Sequence, residues 1–220
     1  MFNFPQQLKC AIFDMDGTIL DSMGMWQDID REFLEKRGIP FTKEYGEAMK
    51  VRNYQEGAIY SIETYHLDEK VDDIINEWDD MAREYYRCRL QLKPGAAQYI
   101  KSLKERGILI ALATVSSAEF YTLAMTANNV MELFDFMTDA TVVKRGKGFP
   151  DLYEYVADQL GIAPQECLVF EDTIHSMEGA RAGGFHTCAV YDKSSHNTWE
   201  KLKSLSEYAL TDFYEGTFLL

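Results

Sequence analysis

The stretch Cys10-Ala11-Ile12-Phe13-Asp14-Met15-Asp16-Gly17-Thr18-Ile19-Leu20-Asp21-Ser22 decides the fold. Its first four residues are an unbroken apolar run, without the alternation of a strand that is wet on one face. Such a run predicts a strand buried on both faces, as in a parallel sheet. The run stops at Asp14, and Asp16 and Gly17 follow. Open α/β sheets bind ligands at the carboxyl ends of their strands, which is where these two carboxylates stand. Gly17 permits a sharp turn and a close backbone approach to a ligand. An apolar strand followed by acid-x-acid-Gly-Thr is a local signal for a Mg²⁺ and phosphate site, although Asp and Gly after a strand also serve as plain turn residues. Residues further along the chain decide between the two.

The chain has 220 residues, 46% hydrophobic and 13% aromatic, enough for one cored domain plus a smaller insert and too apolar for disorder. Its net charge of −14 argues against nucleic acid, which is held by clustered Lys and Arg, and against an anionic membrane surface. No apolar run approaches a membrane span, and the first residues lack the charged-then-apolar layout of a signal peptide. Cys10, Cys88, Cys167 and Cys188 form no C-x-x-C. Three of them lie in strand-like runs and read as reduced, buried thiols of a cytoplasmic protein, not as zinc ligands.

After Ser22 the pattern turns helical. One helix is predicted over 23–37, stopped by Gly38-Ile39-Pro40, with one or two more over 42–67. Another covers 68–89, with Val71, Ile74, Ile75, Trp78, Met81 and Tyr85 on one side. No strand pattern interrupts this region, and residues 22–88 carry 16 Asp and Glu against 9 Lys and Arg, a net −7. Lys93-Pro94-Gly95 marks a return to alternation. Strands are predicted at 108–113, 134–138, 167–170 and 187–191, and helices at 96–106, 118–129, 150–160 and up to 182. The expected class is therefore α/β: a Rossmann-like, mostly parallel sheet with flanking helices over 1–21 and 90–220, and an inserted all-helical domain over 22–89.

Three buried strands then end in polar residues on one sheet edge: Asp14 and Asp16, Thr114, and Glu171 with Asp172. Before a helix on the same edge lies Lys144-Arg145-Gly146-Lys147-Gly148-Phe149-Pro150-Asp151. Carboxylates from two strands can share one Mg²⁺, while a hydroxyl and an ammonium hold phosphate oxygens. Each group also has a plainer reading. Thr114 can cap a strand end, Glu171-Asp172 can cap the next helix, and Lys147 competes with Lys144 and Arg145 in a solvated basic loop. Their coincidence on one edge favours a single site.

The motifs Asp14-Met15-Asp16-Gly17-Thr18, Ala113-Thr114, Lys147 with Pro150-Asp151, and Glu171-Asp172-Thr173 occur in an order that resembles the haloacid dehalogenase superfamily. The resemblance spans essentially the whole chain, and a helical insert straight after the first motif is similar to the cap of the subgroup containing β-phosphoglucomutase and phosphoglycolate phosphatase. The resemblance implies Asp14 as nucleophile, forming an aspartyl-phosphate, and Asp16 as proton donor and then base. It implies Mg²⁺ held by the Asp14 and Asp172 carboxylates and the Asp16 backbone carbonyl. Thr114, with the Val115 N–H, would bind the phosphoryl group, Lys147 would neutralise charge, and Glu171 would orient Lys147 or a metal-bound water. Two departures stand out: Gly148 replaces the first proline of Lys-Pro-x-Pro-Asp, loosening the loop, and Ser176 stands where the family often has glycine.

On the cap side, Trp26 holds the place of a β-phosphoglucomutase His, and Ser117-Ala118 replaces a Lys-Asn pair that helps retain a second phosphate. The expected activity is therefore Mg²⁺-dependent hydrolysis of a small phosphorylated metabolite. A hexose phosphomutase and a non-catalytic phosphate-binding regulator are the alternatives. Met23, Met25 and Trp26 read as an apolar substrate wall or as cap core, and Lys50, Arg52 and Asn53 as possible contacts on a second cap helix, with Arg52 meeting an anionic group or lying on a solvated face. His175 follows the fourth motif and falls near the site or on an exposed loop. The apolar end Phe218-Leu219-Leu220 packs on an edge or in a dimer contact, and the expected state is a monomer or weak dimer.

Overall fold

In a computed structural model, residues 8–49 and 52–214 are described. By contact they divide into two compact units, Met1–Ser22 with Leu90–Leu220, and Met23–Arg89.

The first unit is built on six strands: β1 (Cys10–Phe13), β2 (Leu109–Thr114), β3 (Phe136–Asp139), β4 (Cys167–Glu171), β5 (His186–Val190) and β6 (Tyr208–Leu210). They lie in the order β3-β2-β1-β4-β5-β6, every pairing parallel. The chain runs outward from β1 to β3, then restarts on the other side of β1 with β4. That reversal of order opens a crevice at the carboxyl end of β1. Register does the rest. Phe13 is level with Leu112 on one side and Phe170 on the other, and the Asp14 N–H donates to the Phe170 carbonyl at 3.0 Å. Asp14, Thr114 and Glu171 consequently emerge at one edge.

Both faces of β1 are buried, as the apolar run requires. Cys10 and Ile12 pack with Ala111, Ala113 and Val169 against Leu152, Tyr153 and Val156 of α7 (Asp151–Leu160). On the other face Phe13 stacks on Phe170 at 4.3 Å between centroids, and Tyr99 of α5 (Ala96–Glu105) meets Phe170 edge-on. Burying such aromatic and aliphatic side chains stabilises the sheet by about 1.5–3 kcal/mol each. Helices α6 (Ala118–Ala127) and α8 (Ile174–Ala182) lie near the predicted ranges. The last two elements, α9 (Trp199–Leu205) and β6, were outside the sequence expectation. Strand β6 has three residues, two of them only half-buried, between Ser206-Glu207 and Thr211-Asp212, too short for an alternation to register. Cys10, Cys167 and Cys188 are buried, whereas Cys88, in the other unit, is exposed. No helix among the described residues is long and apolar enough to cross a membrane.

The second unit is helical: α1 (Met25–Glu35), α2 (Lys43–Met49), α3 (Tyr54–Tyr65) and α4 (Val71–Glu84), the last running into a π turn at Tyr85–Arg89. The stretch 42–67 thus holds two helices. Asn53 starts α3 with a capping box, accepting from the Glu56 N–H while Glu56 accepts from its own N–H. Ile29, Phe33, Ile74 and Trp78 form the interior of this unit. Phe218-Leu219-Leu220 and Lys50 lie outside the described residues.

Candidate active site

After Asp14 the chain makes a single tight turn. The Met15 carbonyl accepts from the N–H groups of Thr18, Ile19 and Leu20 at 3.3, 3.0 and 2.9 Å. Gly17 sits at φ 80°, a left-handed conformation that glycine adopts without a Cβ penalty. Its carbonyl accepts from the Lys93 ammonium, which also reaches the Tyr191 carbonyl and Asp192 Oδ2, each at 2.8 Å. One half-buried cation therefore ties the turn to the end of β5. Thr18, fully buried, donates to Asp172 Oδ1 at 3.1 Å.

The charged groups of three motifs converge beside this turn. Lys147 Nζ lies 2.5 Å from Asp14 Oδ1 and 2.5 Å from Glu171 Oε1, and the Tyr153 hydroxyl donates to the same Glu171 oxygen at 2.8 Å. Exposure is 6% for Asp14, 5% for Lys147, 1% for Glu171 and 2% for Asp172, so solvent screens none of them. Burial alone would lower the Lys147 pKa, but Asp14 and Glu171 override it and hold the ammonium well above its ordinary value. Burial pushes Glu171 up to about 7, with Lys147 pulling the other way. Asp172 is pushed up to about 8, by burial first and then by Asp14 and Glu171. Among the three basic residues of this loop, Lys147 is the one turned inward. Arg145 instead pairs with Asp151 at 2.9 and 2.6 Å and lies over the Phe149 ring.

Two glycines shape that loop. A Cβ on Gly148 would fall 1.8 Å from the His175 ring, and one on Gly179 would fall 2.1 Å from the Lys147 carbonyl. The missing proline at position 148 therefore makes room for the His175 imidazole, and Gly179 lets α8 approach the Lys147 backbone. His175, exposed, lies against the site loop.

The cluster fits a divalent cation. One oxygen from each of Asp14, Glu171 and Asp172 lies within 4.8 Å of the others. Lys147 pairs with two of the three carboxyl groups, Asp14 and Glu171, while Asp172 Oδ2 is buried with no hydrogen-bond partner among the described residues. A buried carboxylate oxygen without a donor is costly, and hard oxygen donors in excess negative charge suit Mg²⁺. The Asp16 side chain is outside this acidic group. It lies instead beside β2: Asp16 Oδ2 accepts from the Ser116 hydroxyl at 2.6 Å, and the Ser116 N–H donates to Thr114 Oγ1 at 3.1 Å. Thr114 is fully buried, whereas Val115 is 66% exposed.

The remaining sequence candidates belong to the helical unit. Trp26 is 42% exposed and edge-on to Tyr54 at 5.5 Å, Met23 is exposed, and Met25 is buried. Arg52 lies 4.2 Å over the Tyr60 ring and donates to the Ala48 carbonyl. Sequence reasoning had Thr18 as part of the first motif, without its partner, and passed over Lys93, Ser116 and Tyr153. Only Thr18 and Ser116 carry a local signal, as hydroxyls within four residues of Asp14 or Thr114. Lys93 and Tyr153 reach the site through tertiary packing.

Residues 11–190 match the family described as haloacid dehalogenase-like hydrolase. A phosphorylated carbohydrates phosphatase of Thermotoga maritima is 24% identical over 177 residues, 80% of this chain and 82% of that protein. Hexitol phosphatase B of Escherichia coli is 24% identical over 220 residues, 94% of this chain and 97% of that protein. Among solved structures, a candidate β-phosphoglucomutase of Thermotoga maritima superposes with a TM-score of 0.86 at 22% identity, covering 96% of this chain and 98% of that one.

Proposed function

This chain belongs to the haloacid dehalogenase-like hydrolases, and on that premise we propose that it is a Mg²⁺-dependent phosphatase of small phosphorylated, sugar-like metabolites, working through an aspartyl-phosphate. The observation that carries the reading is the buried Lys147 bridging Asp14 and Glu171 beside an Asp172 oxygen with no donor. A nucleophilic carboxylate and a phosphate dianion repel, and a fixed cation beside both offsets that repulsion where water cannot.

In this reading Asp14 attacks phosphorus in line, forming the Asp14 acyl phosphate as the bond to the leaving oxygen breaks. Asp16 gives its proton to that oxygen, then takes one from water as water attacks phosphorus and phosphate departs. Thr114 and the Val115 N–H hold phosphoryl oxygens. Glu171, held by Tyr153, keeps Lys147 on Asp14. The Asp14 and Asp172 carboxylates and the Asp16 backbone carbonyl would hold Mg²⁺, whose chemistry when bound is to draw charge from the phosphoryl oxygens. Arg52 and Trp26 would contact the substrate from the helical insert, residues 22–89. The names of the phosphatase relatives support the substrate class, and the buried thiols Cys10, Cys167 and Cys188 support a cytoplasmic setting.

The test is phosphate release from phosphorylated sugars, nucleotides and 4-nitrophenyl phosphate, with Mg²⁺ or EDTA, by wild type and Asp14→Asn. Release that needs Mg²⁺ and falls at least about 10³-fold in Asp14→Asn is expected. Conversion of a hexose 1-phosphate to its 6-phosphate without free phosphate would establish a mutase instead. Folded protein inert in both assays would leave a phosphate-binding regulator.

A further inference from the structure

Asp14, Glu171 and Asp172 are fixed by deep burial and by Lys147 or Thr18. Asp16 is only half-buried, yet a group that both gives and takes a proton must keep one orientation through two steps. The structure supplies a holder. The Ser116 hydroxyl donates to Asp16 Oδ2 at 2.6 Å, across a separation of 100 residues. Ser116 is itself located by the core, because its N–H donates to the hydroxyl of Thr114, fully buried at the end of β2. Strand β2 pairs directly with β1, so the sheet sets the distance between Ser116 and Asp16.

We propose that Ser116 is a positioning residue for Asp16, selecting which carboxyl oxygen handles the transferred proton; this rests on the phosphatase reading above. A donor on Oδ2 opposes rotation about the Cβ–Cγ bond and confines the mobile proton to Oδ1. In the first step that proton passes to the substrate's ester oxygen as its bond to phosphorus breaks and the Asp14 acyl phosphate forms. In the second, Oδ1 takes a proton from water as the water oxygen bonds phosphorus and the bond from phosphorus to the Asp14 oxygen breaks. The serine keeps its own proton throughout. Its hydrogen bond strengthens as Asp16 becomes anionic, so it favours the step in which the proton leaves.

The test exploits leaving groups. An alkoxide needs a proton as it departs, whereas 4-nitrophenolate leaves without one. The measured quantity is kcat/KM, which ends at the first irreversible step and excludes breakdown of the intermediate. The two substrates are 4-nitrophenyl phosphate and whichever of glucose 6-phosphate or glycerol 2-phosphate wild type cleaves faster. Ser116→Ala is expected to lose about tenfold or more on the alkyl ester and less than about twofold on the aryl ester, and Ser116→Thr to restore most of the loss. An equal fall on both esters, or no fall, overturns the assignment while the phosphatase reading stands. Wild type inert on all three esters overturns that reading and this one with it. Should Ser116→Ala fail to fold, Ser116→Cys, a weak donor of similar size, carries the same comparison.

Discussion

At the sheet edge Lys147 lies between Asp14 and Glu171, with Asp172 beside them. In the helical insert Arg37 lies between Glu69, at 2.5 and 2.7 Å, and Glu77, at 2.7 Å, with Lys36 on the other Glu77 oxygen at 2.9 Å. The two clusters share their chemistry and differ in balance. In the insert two cations meet two carboxylates, all partly open to water. At the sheet edge Lys147 pairs with two carboxyl groups and a third, Asp172, lies beside them, all buried. The carboxyl groups respond in opposite directions. Burial would raise Glu77, but Arg37 and Lys36 hold it below its ordinary value. Glu171 and Asp172 are held above theirs. A balanced cluster near water ties helices together. An unbalanced buried one is stored negative charge that a cation and a phosphoryl group can use.

That contrast breaks most visibly by removing each cluster's central cation. Lys147→Ala is expected to cut kcat/KM by about 10²- to 10³-fold. Arg37→Leu should leave turnover within about twofold and cost about 1–2 kcal/mol in urea unfolding. Comparable loss of activity in both variants would erase the distinction.

Protons and metal sharpen it next. With Glu171 and Asp172 raised to about 7 and 8, the folded state holds protons that the unfolded chain has released above about pH 4. Protein in EDTA should therefore lose stability as pH rises from about 5 to 8. Mg²⁺ should raise Tm more at pH 8 than at pH 6, because at pH 8 fewer protons compete with it for the carboxylates. Calorimetry across that range checks both signs, and a Tm independent of pH and Mg²⁺ would show the cluster to be inert.

The smallest expected effect concerns the loop that carries Lys147. Gly148→Ala should cost about 1–3 kcal/mol, because its Cβ meets the His175 ring. His175→Ala in the same chain should recover most of that loss, giving a positive coupling in a double-mutant cycle. Additive losses would mean that the loop and α8 move independently.

Much of the fold was legible because its signals are local. The run Cys10–Phe13 shows burial on both faces, and the alternation after Pro94 shows parallel βα units. Strand β6 escaped because three residues, two of them half-buried, hold no periodic information. In the site, Asp14, Thr114 and Glu171 were legible as strand ends, since register in a parallel sheet brings them to one edge.

What the amino-acid sequence determined by itself was therefore the class of fold, the acid pair after β1 and the edge on which chemistry would gather. Each of these follows from hydrophobic period and from residues adjacent along the chain. The resemblance singled out Lys147, and tertiary structure alone decided that Tyr153 and Thr18 hold the acids, that Lys93 ties down the Gly17 carbonyl, and that Ser116 meets Asp16. These contacts join residues as many as 154 positions apart. Their geometry comes from strand register and from how closely helices approach at residues such as Gly179. No local pattern encodes such distances, because they are set by packing summed over the whole unit.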